Sequence, residues 1–93
     1  MTTLLTAQAY DRLVVGEMIA TCIDNGIPYT VEEIFEEFDE AIDECGYYEP
    51  RFVQYVQKNG ITMMQCDAER INTMMEEYDE LPRAIQEAIE LNF

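Results

Sequence analysis

The 93-residue chain sets 20 acidic residues against 5 bases, a formal charge of −15 at pH 7, and 48% of its residues are hydrophobic. Its length suits a single domain, 1–93, and leaves no room for a second core; its apolar content is too high for a disordered chain, and its charge repels nucleic acid and points to a basic partner. Histidine and serine are both absent, which removes Ser-His-Asp and Cys-His nucleophile pairs, histidine general bases and the commonest transition-metal ligand.

In chain order, Thr6 offers a cap for a first helix running to about Asp24, with Leu13, Val14, Met18, Ile19, Cys22 and Ile23 as its apolar stripe. Asn25-Gly26 then supplies a left-handed stop, and Pro28 follows. Thr30 and Glu33 form a capping box for a second helix over 31–45, whose Val31, Ile34, Phe35, Phe38, Ala41, Ile42 and Cys45 share one face. Gly46 ends it. Pro50 reads as a first-turn residue, and Phe52, Val53, Tyr55 and Val56 suit a short third helix stopped by Asn59-Gly60. Thr62 with Gln65 resembles another capping box, opening a fourth helix to about Asp79 lined by Met63, Met64, Ile71, Met74, Met75 and Tyr78. Pro82 begins a last helix that carries Ile85, Ala88, Ile89 and Phe93. No alternating Val/Ile/Thr-rich segment argues for a sheet. The expected fold is therefore all-α, a compact bundle of four to five helices.

The three cysteines, Cys22, Cys45 and Cys66, form no CxxC pair, which argues for reduced thiols in a cytoplasmic protein rather than a disulfide framework or a zinc site. The N-terminal residues carry no basic leader, and the longest apolar stretch, around residues 13–23, is interrupted by Gly16 and Glu17, so neither a signal peptide nor a membrane span is expected. There is no GxGxxG or GxxxxGK[ST] phosphate cradle. Before Gly46, the places where an EF-hand needs oxygen ligands hold Ala41, Asp43 and Cys45, and the Glu-x-x-His of a di-iron bundle requires the absent histidine. No catalytic residue, cofactor or metal is expected.

The most informative segment is 31–45, which holds eight acids and no base: Glu32, Glu33, Glu36, Glu37, Asp39, Glu40, Asp43 and Glu44. On a helix, Glu32, Glu36, Glu40 and Glu44 make an unbroken i, i+4 row. With a rise of about 1.5 Å per residue, successive carboxylates stand roughly 6 Å apart along the axis, comparable to neighbouring phosphates on a nucleic-acid strand. A helix selected only for stability would intersperse Lys or Arg, since like charges at i, i+4 cost about 0.2–0.5 kcal/mol each. A solvated face with first-turn acids favoured by the helix dipole is the plainer explanation. A second cluster, Glu76, Glu77, Asp79 and Glu80, weighs against it. Tyr47 and Tyr48 flank the acidic helix and suit an interface, where tyrosine is enriched. A helix-turn-helix use of the same segment is excluded by charge, because eight carboxylates would meet the phosphates.

The stretch Asp24, Asn25, Gly26, Ile27, Pro28, Tyr29 through Glu33, Ile34, Phe35 resembles a segment of the Ocr-type anti-restriction proteins of bacteriophages, in which such a turn leads into an acidic helix. The resemblance implies a helical DNA mimic whose carboxylates stand in for phosphates in the DNA-binding groove of a defence enzyme. The composition is equally similar to that of small acidic phage inhibitors, many anti-CRISPR proteins among them. The expected partner is a basic nucleic-acid-binding protein, such as a CRISPR effector subunit or a restriction enzyme. An antitoxin-like adaptor that binds or homodimerises through an apolar surface rich in Met63, Met64, Met74 and Met75 is the second reading.

Overall fold

The computed structural model describes residues 2–45 and 52–93. In chain order it runs β1 (Thr2–Thr6), α1 (Ala7–Asp24), α2 (Val31–Cys45), β2 (Phe52–Lys58), β3 (Ile61–Asp67), α3 (Ala68–Glu80) and α4 (Arg83–Glu90). The strands form one antiparallel sheet in the order β1-β3-β2. The fold is α+β, which corrects the all-α expectation.

At both ends of α1 and at the start of α2 the expected boundary holds, each for a local chemical reason. The Thr6 hydroxyl accepts from the Ala9 N–H at 3.1 Å at the start of α1, and the Thr30 hydroxyl accepts from the Glu33 N–H at 3.1 Å before α2. At the end of α1 the Ile27 N–H reaches the Cys22 carbonyl at 2.9 Å and the Gly26 N–H reaches Ile23 at 3.2 Å, with Gly26 at φ +64°. This double bond pattern satisfies orphan carbonyls and turns the chain toward α2. Gly46, Pro50, Tyr47 and Tyr48 lie outside the described residues.

The expected third helix and residues 62–67 of the expected fourth are instead the β2–β3 hairpin. Asn59 (φ 54°) and Gly60 (φ 77°) both adopt the left-handed region, and Lys58 pairs with Ile61 across them. Two successive positive φ values make the tight hairpin turn whose twist matches that of the strands. Thr62 and Gln65 therefore cap nothing. Their side chains bond across the sheet, with the Gln57 amide donating to the Thr62 hydroxyl at 2.7 Å and the Gln54 amide to the Gln65 oxygen at 2.7 Å. The cap of α3 is Asp67, whose carboxylate accepts from the Glu69 N–H at 2.9 Å and the Arg70 N–H at 3.3 Å. β1, placed in no element by the sequence, pairs with β3 from Thr2 opposite Asp67 to Thr6 opposite Met63.

α1 lies at the centre, packed against α2, α3, α4 and the sheet. Its Tyr10, Val14, Val15 and Ile19 are fully buried, with Met64 and Cys66 from β3, Ile71 and Met74 from α3, and Ile89 from α4. A helix surrounded on most sides is apolar around most of its circumference, which is why α1 shows a broader hydrophobic arc than α2. Among the described residues no helix is long and apolar enough to cross a membrane.

Candidate functional site

The apolar residues of α2 determine where its acids point. Ile34 and Phe38 are buried, and Phe35 and Ile42 pack partly against the core. Phe35 meets the Phe93 ring with centroids 5.5 Å apart. With that face held on α1 and α4, the eight acids Glu32, Glu33, Glu36, Glu37, Asp39, Glu40, Asp43 and Glu44 are all exposed. Ion pairs join Arg70 to Glu17 at 3.1 Å and Arg83 to Glu87 at 3.4 Å. Neither involves an acid of α2, so these pairs leave the charge of this face unneutralised.

The second cluster is built differently. Glu76, Asp79 and Glu80 on α3 are exposed, whereas Glu77 is half-buried. The Gln86 side-chain amide donates to the carbonyls of Tyr78 at 3.1 Å, Asp79 at 3.3 Å and Leu81 at 2.9 Å, which closes the end of α3 that the sequence left uncapped. The Arg12 guanidinium lies 5.8 Å from the centroid of the Tyr78 ring and shares a shallow depression with Asp79 and Glu90, so a base sits beside these acids. α2 and α3 each pack on α1 and not extensively on each other. The two clusters are separate faces, not one site.

No deep pocket accompanies either face among the described residues. A depression of about 300 Å³ lies between the C-terminal end of α1 and the α3–α4 junction, lined by the apolar Ile23, Leu81 and Pro82 and the acidic Asp24, Glu77 and Glu80. It is open to solvent and at the lower limit of small-molecule sites. The arrangement suits contact with a surface rather than enclosure of a ligand. The methionines do not share one face: Met64 and Met74 are fully buried in different elements, while Met75 is 48% exposed.

One carboxylate that sequence reasoning passed over is Asp11 on α1. Its Oδ1 is buried without a hydrogen-bond partner, and burial, followed by the negative charge of Asp39 on α2, pushes its pKa from 3.8 up to about 6. Because the folded value lies above the unfolded one, the penalty is absent below about pH 4, grows as pH rises and is complete above about pH 6. Asp11→Asn keeps the shape and drops the charge. It should stabilise the fold by about 1 kcal/mol at neutral pH, allowing for solvent screening, and by nothing near pH 4. Melting curves at the two pH values check this, and an equal shift at both would refute it. Its signal in the sequence was an acid among the apolar residues of α1, but which acid would be covered depended on α2.

The chain matches no protein-family model, no curated protein and no solved structure in the three comparisons made.

Proposed function

We propose that the chain is a non-catalytic counter-defence inhibitor that occupies the nucleic-acid groove of a basic protein, a CRISPR effector subunit or a restriction enzyme, through the acidic face of α2. The observation that carries this reading is the exposed acidic row, which makes no ion pair with a base among the described residues, on a helix whose opposite face is anchored in the core. Like charges at this density cost stability, and local electrostatics are violated in this way chiefly where function requires it. The turn at 24–29 and its resemblance to the Ocr-type segment support the same reading. Proteins that grip nucleic acid neutralise several phosphates with Lys and Arg, and a rigid helix presenting carboxylates at about 6 Å intervals offers those bases an alternative partner at no cost in unfolding. The mechanism is competition for the groove, one inhibitor per site.

The test is capture from bacterial lysate on the immobilised full chain at low and moderate salt, followed by elution with duplex DNA and with RNA. The expected result is a nucleic-acid-binding protein that is released by nucleic acid and held less well as salt rises. Capture of proteins with no nucleic-acid activity, or of one that nucleic acid fails to displace, would overturn the reading.

A further inference from the structure

α2 is held at the margin of the core. It packs on α1 and α4 and not extensively on α3 or the sheet, and its anchors are the buried Ile34 and Phe38 with the partly covered Phe35 and Ile42. Met18 and Cys22 of α1 line a shallow groove with Ile34 and Glu37 of α2, so the C-terminal half of α1 meets the N-terminal half of α2. Asp11 stands seven residues before Met18 and eleven before Cys22, a spacing that places it on the same side of α1, two to three turns back. That position lies opposite the second half of α2, and the charge that acts on Asp11 from there is Asp39.

Among the described residues nothing compensates the carboxylate that Asp11 brings into this seam. Its Oδ1 is buried and accepts no hydrogen bond, and Asp39 carries the same sign. The adjacent Arg12 turns its guanidinium to Tyr78, beside Asp79 of α3 and Glu90 of α4. Elsewhere around α1, Arg70 of α3 is paired with Glu17 and Arg83 of α4 with Glu87. The other charged residues of α3 are acids, Asp67 of β3 caps α3, and β1 carries no charge. Ionised, Asp11 opposes Asp39 and holds a charge away from water; protonated, it does neither. Opening of α2 returns the group to water. The ionised form therefore favours the open state and the neutral form the closed one, and with a value of about 6 when covered against 3.8 in water the balance moves as pH rises toward neutrality.

We propose that Asp11 is a proton-operated catch beneath α2: neutral, it lets the second half of the helix seat on α1, and ionised, it drives that half toward a locally open state. The inference concerns how α2 is held and does not depend on what its outer face binds. A helix at the margin, with few buried anchors, opens without unfolding the rest of the domain. Opening becomes more frequent as pH rises, by roughly five- to tenfold between about pH 5 and about pH 7.5. The acids on the outer face are exposed with α2 seated and stay in water when it opens, so the response belongs to the covered carboxylate.

The experiment is amide hydrogen exchange of the full chain at about pH 5 and about pH 7.5, corrected for the intrinsic pH dependence of exchange. It compares residues 38–42 of α2 with residues 71–75 of α3, in the parent and in Asp11→Asn and Asp39→Asn. The expected result is that protection in α2 falls roughly five- to tenfold more than in α3 as pH rises, and that Asp11→Asn removes the difference. Asp39→Asn should move its midpoint to lower pH without abolishing it, because burial is the larger cause of the shift. Titration of the Asp11 carboxyl carbon by NMR in the parent keeps the test alive if Asp11→Asn does not fold. An equal change in both helices, a difference that persists in a folded Asp11→Asn, or an Asp11 midpoint at the ordinary carboxylate value would each overturn the proposal.

Discussion

Gly16→Val is expected to destabilise the fold by about 3 kcal/mol or more, the upper part of the range for overpacked cores. Gly16 lies in the middle of α1, where a Cβ would stand 2.7 Å from Tyr78 Cδ2, 3.5 Å from Cε2 and 3.6 Å from Leu81 Cδ1. Atoms at 2.7 Å must move, and Tyr78 has little freedom to do so. Its ring is buried, its hydroxyl lies 3.4 Å from both the Gln86 carbonyl and Glu90, and Arg12 covers its face. Gly16→Ala gives the sharper sign. In an exposed helix that change gains up to about 1 kcal/mol, whereas here the clash should reverse it to a net loss. Urea unfolding of both variants measures the effect, and an alanine variant more stable than the parent would show that α1 and α3 do not approach as closely as Tyr78 requires. The same glycine interrupts the apolar run that argues against a membrane span. Its second role, as the place where α1 leaves room for the Tyr78 ring of α3, depends on a residue far along the chain.

Two Asn-Gly pairs show how much of the fold can be read locally. At 25–26, Asn25 keeps φ −98° and only Gly26 is left-handed, the geometry of a helix C-cap. At 59–60, both residues are left-handed, the geometry of a two-residue hairpin. The dipeptide is identical, and the flanking segments decide. Phe52, Val53, Tyr55 and Val56 satisfy a helical spacing of three and four as well as a strand, but their β-branched and aromatic character favours the strand. Thr62 to Cys66 is resolved only by its partners, since β3 becomes central by pairing with Thr2–Thr6, a strand about sixty residues away. Nothing within a short window around Thr2 announces that pairing. The acidic face was legible for the opposite reason. Ile34, Phe35, Phe38 and Ile42 commit one side of α2 to the core, and helical geometry then sends Glu32, Glu36, Glu40 and Glu44 outward without reference to any distant residue.

Replacing Glu32, Glu36, Glu40 and Glu44 together by Gln should weaken binding to the captured target about a hundredfold or more, because several charge-assisted contacts are lost at once. Stability should change little, and upward. The row contains three i, i+4 repulsions of about 0.2–0.5 kcal/mol each, so relieving them gains on the order of 1 kcal/mol. Glu32, in the first turn, loses a favourable interaction of about 0.3–1 kcal/mol with the helix dipole, which offsets part of the gain. Glu44, in the last turn, sits at the negative end of the dipole and adds to the relief when neutralised. A variant that is at least as stable as the parent and still fails to bind therefore separates function from fold. The salt dependence supplies the second discriminant: parental binding should fall steeply with salt, and the variant's residual binding should be nearly flat. Glu76→Gln with Glu80→Gln serves as the control face, expected to leave affinity within a few fold of the parent. Calorimetric titrations at two salt concentrations, paired with thermal melts, read all three quantities. Full affinity in the folded quadruple variant would remove α2 as the contact surface. Loss confined to the Glu76 and Glu80 pair would move the site to the depression lined by Glu77, Glu80 and Asp24, where apolar and acidic lining residues together would engage single basic side chains instead of imitating a strand of phosphates.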